Sequence, residues 1–402
     1  MIYLDNNATT PLATEVLDAI SASLATDWAN PSSSYSEGIA VKDVIEKSKQ
    51  SVAHMINADT THEIIFTSGG TEANNWIINS SVKHFLENST SDQKPHIITT
   101  NIEHPSIREP LNRLTLEDSA SIEMTFVSVS KKIGCVSADD ILSAIRPNTC
   151  LITVMMANNE TGVIQPIREI GVNLAKINVQ RVTTGLQKIG FHCDAAQAIG
   201  KCEVDVHDLH VDYLTIFYGP RIGALYRRID SPLLPVLFGG GQERTLRPGT
   251  ENTPMIVGLA KASELVHKNL DKYNEHFASL QTYFETQLHK KFKDLVSINC
   301  QNSPSGRLPN TTSLAFHKPC LIGSKILALT PNLRASLGAA CHSSQTKAGN
   351  PSKVLIASGV SVELAQRTIR LSTGRDTTND DIDKAIDELS HAVNELMSQQ
   401  NE

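Results

Sequence analysis

Over roughly the first 255 residues, short apolar runs alternate with amphipathic stretches. Residues 63–66 and 96–100 read as short buried strands, and 150–156 is one continuous apolar run, as a central parallel strand requires. Shorter strands are predicted at 191–193 and 213–216. Thr10 and Pro11 predict a helix start, one as cap and one at the first helical position, with Val16, Leu17, Ile20 and Leu24 on one face. Further helices are predicted over 37–56, after Thr71, after Pro105 and behind a Ser137 cap. Residues 177–190 are polar and contain glycine, and read as a surface excursion. This rhythm predicts an α/β fold, a mostly parallel sheet wrapped by helices.

The pattern changes after about residue 255. Two helical stretches, 255–268 and 273–293, lead into a smaller α+β region with strands at 311–316 and 367–372. Thr378 caps a last helix whose inner face is Ile382, Ile386, Leu389, Val393 and Leu396. The predicted organisation is an N-terminal segment, 1–15, packing with a small C-terminal domain, 255–402, and a large domain, 16–254, between them.

Composition narrows the partners. The chain has 402 residues, 20% of them charged, with a formal net charge of -7, which argues against nucleic acid. No apolar run approaches the length of a membrane span. Seven cysteines without CxxC spacing disfavour a disulfide scaffold or a zinc cluster, and no metal site is expected. Met1 leads straight into Ile2-Tyr3-Leu4-Asp5, so no signal or transit peptide is expected and the predicted location is cytoplasmic.

The chemistry sits at strand ends. In Thr67-Ser68-Gly69-Gly70-Thr71-Glu72 a buried strand gives way to a glycine turn and a helix start. The amides of Gly70 and Thr71 there suit a phosphate, although a plain strand-to-helix turn explains the glycines equally well. Asp194 ends a strand and reads as a helix cap or as a buried carboxylate facing a ring nitrogen. His104 follows strand 96–100, and alone reads as a structural histidine. Asn159, in Asn158-Asn159-Glu160-Thr161-Gly162, reads as part of a turn. Cys341 has glycine, alanine and serine neighbours, the setting of an exposed, reactive thiol. Arg370 alternates with apolar residues and suits a solvated face or a carboxylate clamp.

Taken in order, several motifs resemble the cysteine desulfurase and selenocysteine lyase family of pyridoxal phosphate (PLP) enzymes, of the class V aminotransferase type. They are Asp5-Asn6-Asn7-Ala8-Thr9-Thr10-Pro11, Thr67-Ser68-Gly69-Gly70-Thr71-Glu72, Asp194-Ala195-Ala196-Gln197, Phe217-Tyr218-Gly219-Pro220, Arg247-Pro248-Gly249-Thr250 and Arg370-Leu371-Ser372. The resemblance spans essentially the whole chain, and Gly338-Ala339-Ala340-Cys341-His342-Ser343 looks most like the selenocysteine lyase branch. It implies fold type I of the PLP enzymes and cleavage of L-selenocysteine to L-alanine and reduced selenium. The close alternative is a cysteine desulfurase that forms a persulfide on Cys341. Gly70 and Thr71 would hold the phosphate and His104 would stack on the ring. Asp194 would pair with the ring nitrogen, and Gln197 and Asn159 would bond the ring hydroxyl side. Thr250 would reach the phosphate of a neighbouring subunit, which implies a homodimer. Arg370 would bind the carboxylate of a small amino-acid substrate. Cys341 would meet the leaving chalcogen and pass it to an acceptor protein.

One element of the family pattern is missing. The family has an apolar strand, a small residue, Gly-His-Lys, an apolar residue and Tyr-Gly-Pro. Here Tyr213-Leu214-Thr215-Ile216 joins Phe217-Tyr218-Gly219-Pro220 directly, and the lysine that forms the Schiff base with PLP is absent. Covalent attachment is therefore not expected, and a non-catalytic protein that keeps the fold is the third reading. Lys201, the nearest lysine in sequence, lies beyond Asp194-Ala195-Ala196-Gln197 and is not expected to substitute.

Overall fold

The computed structural model describes residues 1–89, 93–116, 121–219, 221–338 and 351–399. The chain begins with β1 (Ile2–Tyr3), α1 (Thr14–Thr26), α2 (Ser36–Met55), β2 (Ile64–Thr67), α3 (Gly70–Asn88), β3 (His96–Thr100), α4 (Pro105–Leu114) and β4 (Glu123–Val127). Then come α5 (Ala138–Ser143), β5 (Thr149–Met155), α6 (Ile167–Thr183), β6 (Gly190–Asp194), β7 (Tyr213–Tyr218) and β8 (Ile222–Arg227). The remainder is α7 (Thr253–Phe292), β9 (Val296–Ile298), β10 (Thr311–Phe316), α8 (Gly323–Ala328), β11 (Leu333–Arg334), α9 (Lys353–Ala357), α10 (Val362–Gln366), β12 (Thr368–Ser372) and α11 (Asn379–Ser398).

Seven strands form one sheet in the order β2-β8-β7-β6-β5-β3-β4. Only β8 runs antiparallel to its neighbours, β2 and β7. The helical crossovers between parallel strands bring the ends of β3, β5, β6 and β7 to the same edge of the sheet, where α/β sheets bind ligands. Ile98, Ile152, Val154, Phe191, Cys193, Leu214 and Ile216 form the centre of the large core. A three-stranded antiparallel sheet, β12-β10-β9, builds a second core with Leu4, Phe284, Phe316, Leu371 and Leu389. The N-terminal strand joins this second unit: β1 pairs in parallel with β11, and Asp5 bridges to Ser372.

Several elements depart from the sequence reading. Helix α1 starts at Thr14 and leaves Pro11 outside; Val16 and Ile20 are buried, but Leu17 and Leu24 face solvent. The excursion expected at 177–190 is in large part the C-terminal half of α6. Its anchor is the buried Arg181, which donates to the carbonyls of Arg146, Pro147, Thr149 and Gln187. The two helices expected after residue 255 are one 40-residue helix, α7. No proline or glycine follows Gly258 within it, so nothing in the sequence interrupts it. Its first half packs on α1 and α2, and its second half supplies Leu280, Phe284, Leu288 and Phe292 to the smaller core.

Candidate active site

A cavity of about 940 Å³ opens at the strand ends. Gly70, Thr71, His104, Asn159, Asp194, Gln197 and Arg370 all line it, so seven of the nine residues singled out from the sequence meet there. Thr250 does not. It lies exposed beside a separate 210 Å³ cavity behind the β2–α3 turn. Cys341 falls outside the described residues.

Asp194 ends β6 and is buried. Its Oδ1 accepts the Ala196 amide at 3.0 Å, so the capping role is present, and its Oδ2 accepts Asn74 Nδ2 at 2.8 Å. Asn74 is buried on the inner face of α3 and ties three elements together. The same Nδ2 reaches Ser106 Oγ at 2.8 Å, and its Oδ1 accepts Thr215 Oγ1 of β7 at 2.6 Å. Thr215 thus spends its proton on Asn74, so the His192 Nε2 that lies 2.9 Å away must donate to it. His192 Nδ1 then accepts from Thr153. Burial pushes His192 down to about 4, so this chain of bonds stays neutral and fixed at physiological pH.

His104 is the N-cap of α4. Its Nδ1 accepts the Ser106 amide at 3.1 Å and lies 2.7 Å from Ser106 Oγ. Behind it, Glu103 is fully enclosed, and burial raises its carboxyl to about 8. That carboxyl accepts from Thr100 Oγ1 at 2.6 Å and from the Met155 amide at 3.1 Å, clamping the ends of β3 and β5 together.

Arg370, on β12, is fully buried. Nη2 meets Asp5 Oδ1 at 2.7 Å, and Nη1 donates to the Asn159 carbonyl at 2.9 Å. Its Nε has no partner among the described residues. The Asn159 carbonyl also receives Asn7 Nδ2 at 3.3 Å. Asn7 in turn accepts Lys201 Nζ at 3.0 Å, and its backbone carbonyl accepts Gln197 Nε2 at 3.2 Å. One hydrogen-bonded path therefore runs from Arg370 to Gln197.

The phosphate-type end is the N-terminus of α3. Gly69 and Gly70 bend there beneath Phe217: a side chain at Gly70 would put its Cβ 3.2 Å from Phe217 Cβ. The Ser68 amide is already taken by Glu72, which Arg247 grips through both Nε and Nη2.

At the break in the family pattern, β7 continues through Phe217 and Tyr218 and folds back on β8, with Tyr218 opposite Ile222. The connection needs left-handed backbone at Gly219 (φ +68°) and at Arg221 (φ +57°). Tyr218 turns its hydroxyl to Ser263 and Met55.

The donor set fits PLP. A buried carboxylate is aimed into the cavity, an imidazole stands on its wall, two side-chain amides lie on one side, and a glycine-walled helix N-terminus completes it. Sequence reasoning gave no role to Asn7, Asn74 and Glu103, and it set Lys201 aside. A polar residue at an inward position of a largely apolar helix face was the available signal for Asn74; for Lys201 the four-residue spacing from Gln197 was legible, while its second partner, Asn7, comes from the remote N-terminal segment.

The aminotransferase class-V family model matches residues 2–385. The selenocysteine lyase of Xenopus tropicalis is 48% identical over 98% of this chain and 93% of its own. The cysteine desulfurase IscS of Methanosarcina thermophila is 38% identical over 98% of this chain and 92% of its own. A solved NifS-like protein superposes with a TM-score of 0.84 at 30% identity, covering 98% of this chain and 99% of its own. The α/β architecture is that of the fold-type I PLP enzymes. The chain belongs to the aminotransferase class-V family, among relatives that include selenocysteine lyases and cysteine desulfurases.

Proposed function

We propose that this chain is a selenocysteine lyase-type protein whose cavity holds PLP and a small amino acid, with the catalytic lysine segment missing. The observation that carries the reading is the convergence of Asp194, Gln197, Asn159, His104 and Arg370 on one cavity, in a chain nearly half identical to a selenocysteine lyase. When bound, PLP supplies the electron sink for cleavage at the β-carbon of an amino acid. Gly70 and Thr71 hold the phosphate through amides at a helix N-terminus. Asp194 keeps the ring nitrogen protonated, and the Asn74–Thr215–His192 network fixes its carboxylate for that task. His104 covers one face of the ring, while Gln197 and Asn159 bind the hydroxyl side. Arg370, aligned by Asp5 and the Asn159 carbonyl, takes the substrate carboxylate. Cys341 meets the departing selenium.

The reading extends to a homodimer in which Thr250 serves the partner's phosphate site. Its support is that Thr250 stands exposed and away from its own chain's cavity. A cytoplasmic setting and a protein that accepts the released selenium complete it. No described helix is long and apolar enough to cross a membrane.

The test is repair. Inserting Val-Gly-His-Lys between Ile216 and Phe217 restores the missing base and proton shuttle, contributions worth roughly 100- to 10,000-fold in general. Selenide release from L-selenocysteine, measured with a thiol reductant present, should rise by at least about 100-fold and exceed turnover of L-cysteine. A repaired chain that prefers L-cysteine and accumulates persulfide on Cys341 would establish the desulfurase reading instead. One that binds PLP and cleaves neither amino acid would overturn the function altogether.

A further inference from the structure

Lys201 is left without a role in that scheme, yet it lines the same cavity as Asp194, Asn159 and His104. It follows Gln197 by four residues. The amides of Ile199 and Lys201 bond back to the carbonyls of Ala195 and Ala198, so this segment coils like a helical turn. That spacing puts the Gln197 and Lys201 side chains on one side. Lys201 Nζ donates to Gln197 Oε1 at 3.1 Å and to Asn7 Oδ1 at 3.0 Å. Both acceptors are neutral amides, and among the described residues no carboxylate lies within ion-pair distance. Lys201 is the one lysine among the described lining residues; the other amine there is the N-terminus of Met1. Burial first, and the nearby charge of Arg370 second, pull the Lys201 amine down to about 7. A large share is therefore the free base near neutral pH, the form that attacks carbonyls.

We infer that Lys201 captures the aldehyde of the cofactor in this chain, in place of the strand-end lysine that the chain lacks. The inference rests on reading the cavity as a PLP site. The aldehyde of PLP is on the ring carbon next to the hydroxyl, and Gln197 is the side chain assigned to that hydroxyl. Lys201 Nζ already touches Gln197, so the amine stands beside a group that would hold that side of the ring. It gives up two hydrogen bonds to neutral groups and no ion pair. The nitrogen lone pair adds to the carbonyl carbon and a C=N bond replaces C=O. The oxygen leaves as water with the two amine protons. No electrons change hands and no co-reactant is needed. Capture retains the cofactor without restoring the Gly-His-Lys proton shuttle, so it is compatible with slow turnover.

The experiment uses the full chain incubated with PLP, reduced with borohydride, digested and mapped by mass spectrometry, beside equilibrium dialysis of unreduced samples. One pyridoxyl group per chain should appear on Lys201, with a yield that climbs as pH rises through about 7. Lys201→Arg should still bind PLP in dialysis but lose the label. Two results overturn the inference while leaving the cavity a PLP site: bound PLP with label scattered over surface lysines or on the Met1 amine, or equal labelling of Lys201→Arg at another position. Failure of the unmodified chain to bind PLP at all would overturn both the inference and the proposed function.

Discussion

Strands β6 and β7 lie side by side in the sheet, in register from His192 opposite Tyr213 to Asp194 opposite Thr215. They finish at the same cavity and meet different fates. After Asp194 the chain turns at once, and within seven residues it supplies Asp194, Gln197 and Lys201 to the cavity wall. After Thr215, β7 runs on through Ile216, Phe217 and Tyr218 and is absorbed into a tight hairpin with β8. The Gly-His-Lys segment of the family pattern is absent at the end of β7. The β7–β8 ladder pairs as far as Tyr218 opposite Ile222, Gly219 and Arg221 are left-handed, and Phe217 lies beside Gly69 and Gly70. Thr215, one residue inside the break, still bonds both His192 and Asn74. Asp194 is thus held in place in a chain without the Gly-His-Lys segment, and on the proposed function only the chemistry of that segment is wanting.

Substitutions at the two strand ends sharpen this contrast. Asp194→Ala, at the intact end, should have the larger effect. It removes a hydrogen bond to a charged group, worth about 1.5–3 kcal/mol, so PLP affinity by equilibrium dialysis should fall roughly 10- to 100-fold. Far-UV circular dichroism should show the fold retained. An unchanged affinity would mean that the β6 end does not hold the ring. Phe217→Ala, at the truncated end, should matter least. Phe217 is 37% exposed and lines the cavity, but its side chain brings no polar atom to a ligand there. PLP affinity should shift by less than about threefold, a change near or below 0.7 kcal/mol. A large loss would show that Phe217 holds the ligand as well as lining the cavity, and the contrast between the two ends would fail.

Much of the architecture is written in local pattern. The apolar run that became β5 has no other comfortable place than the middle of a parallel sheet, and Thr378 with Asp381 forms the capping box that starts α11. What local pattern misreads is decided by distant partners. Leu17 and Leu24 match a helical face yet stay exposed, because the packing face of α1 turned out to centre on Val16 and Ile20. Residues 177–183 look like a loop until Arg181 is seen bonding four carbonyls, three of them on the segment leading into β5. The site divides the same way. Asp194, Gly70 and His104 stand at strand and helix ends, where motifs are visible in one dimension. Asn74, Asn7 and Lys201 acquire their roles only when α3, the N-terminal segment and the turn after β6 come together. Arg370 suited either a solvated face or a carboxylate clamp from its alternation alone. Its burial against Asp5 and Asn159 removes the first of these.

The most direct test pairs two readings on one preparation of the unmodified chain: PLP bound per chain by equilibrium dialysis, and selenide released from L-selenocysteine in the presence of a thiol reductant. An intact β6 end beside a truncated β7 end predicts about one PLP per chain and selenide release at least about 100-fold below that of the chain repaired between Ile216 and Phe217. Release from the unmodified chain that equals the repaired one, or a chain that binds no PLP, would contradict it.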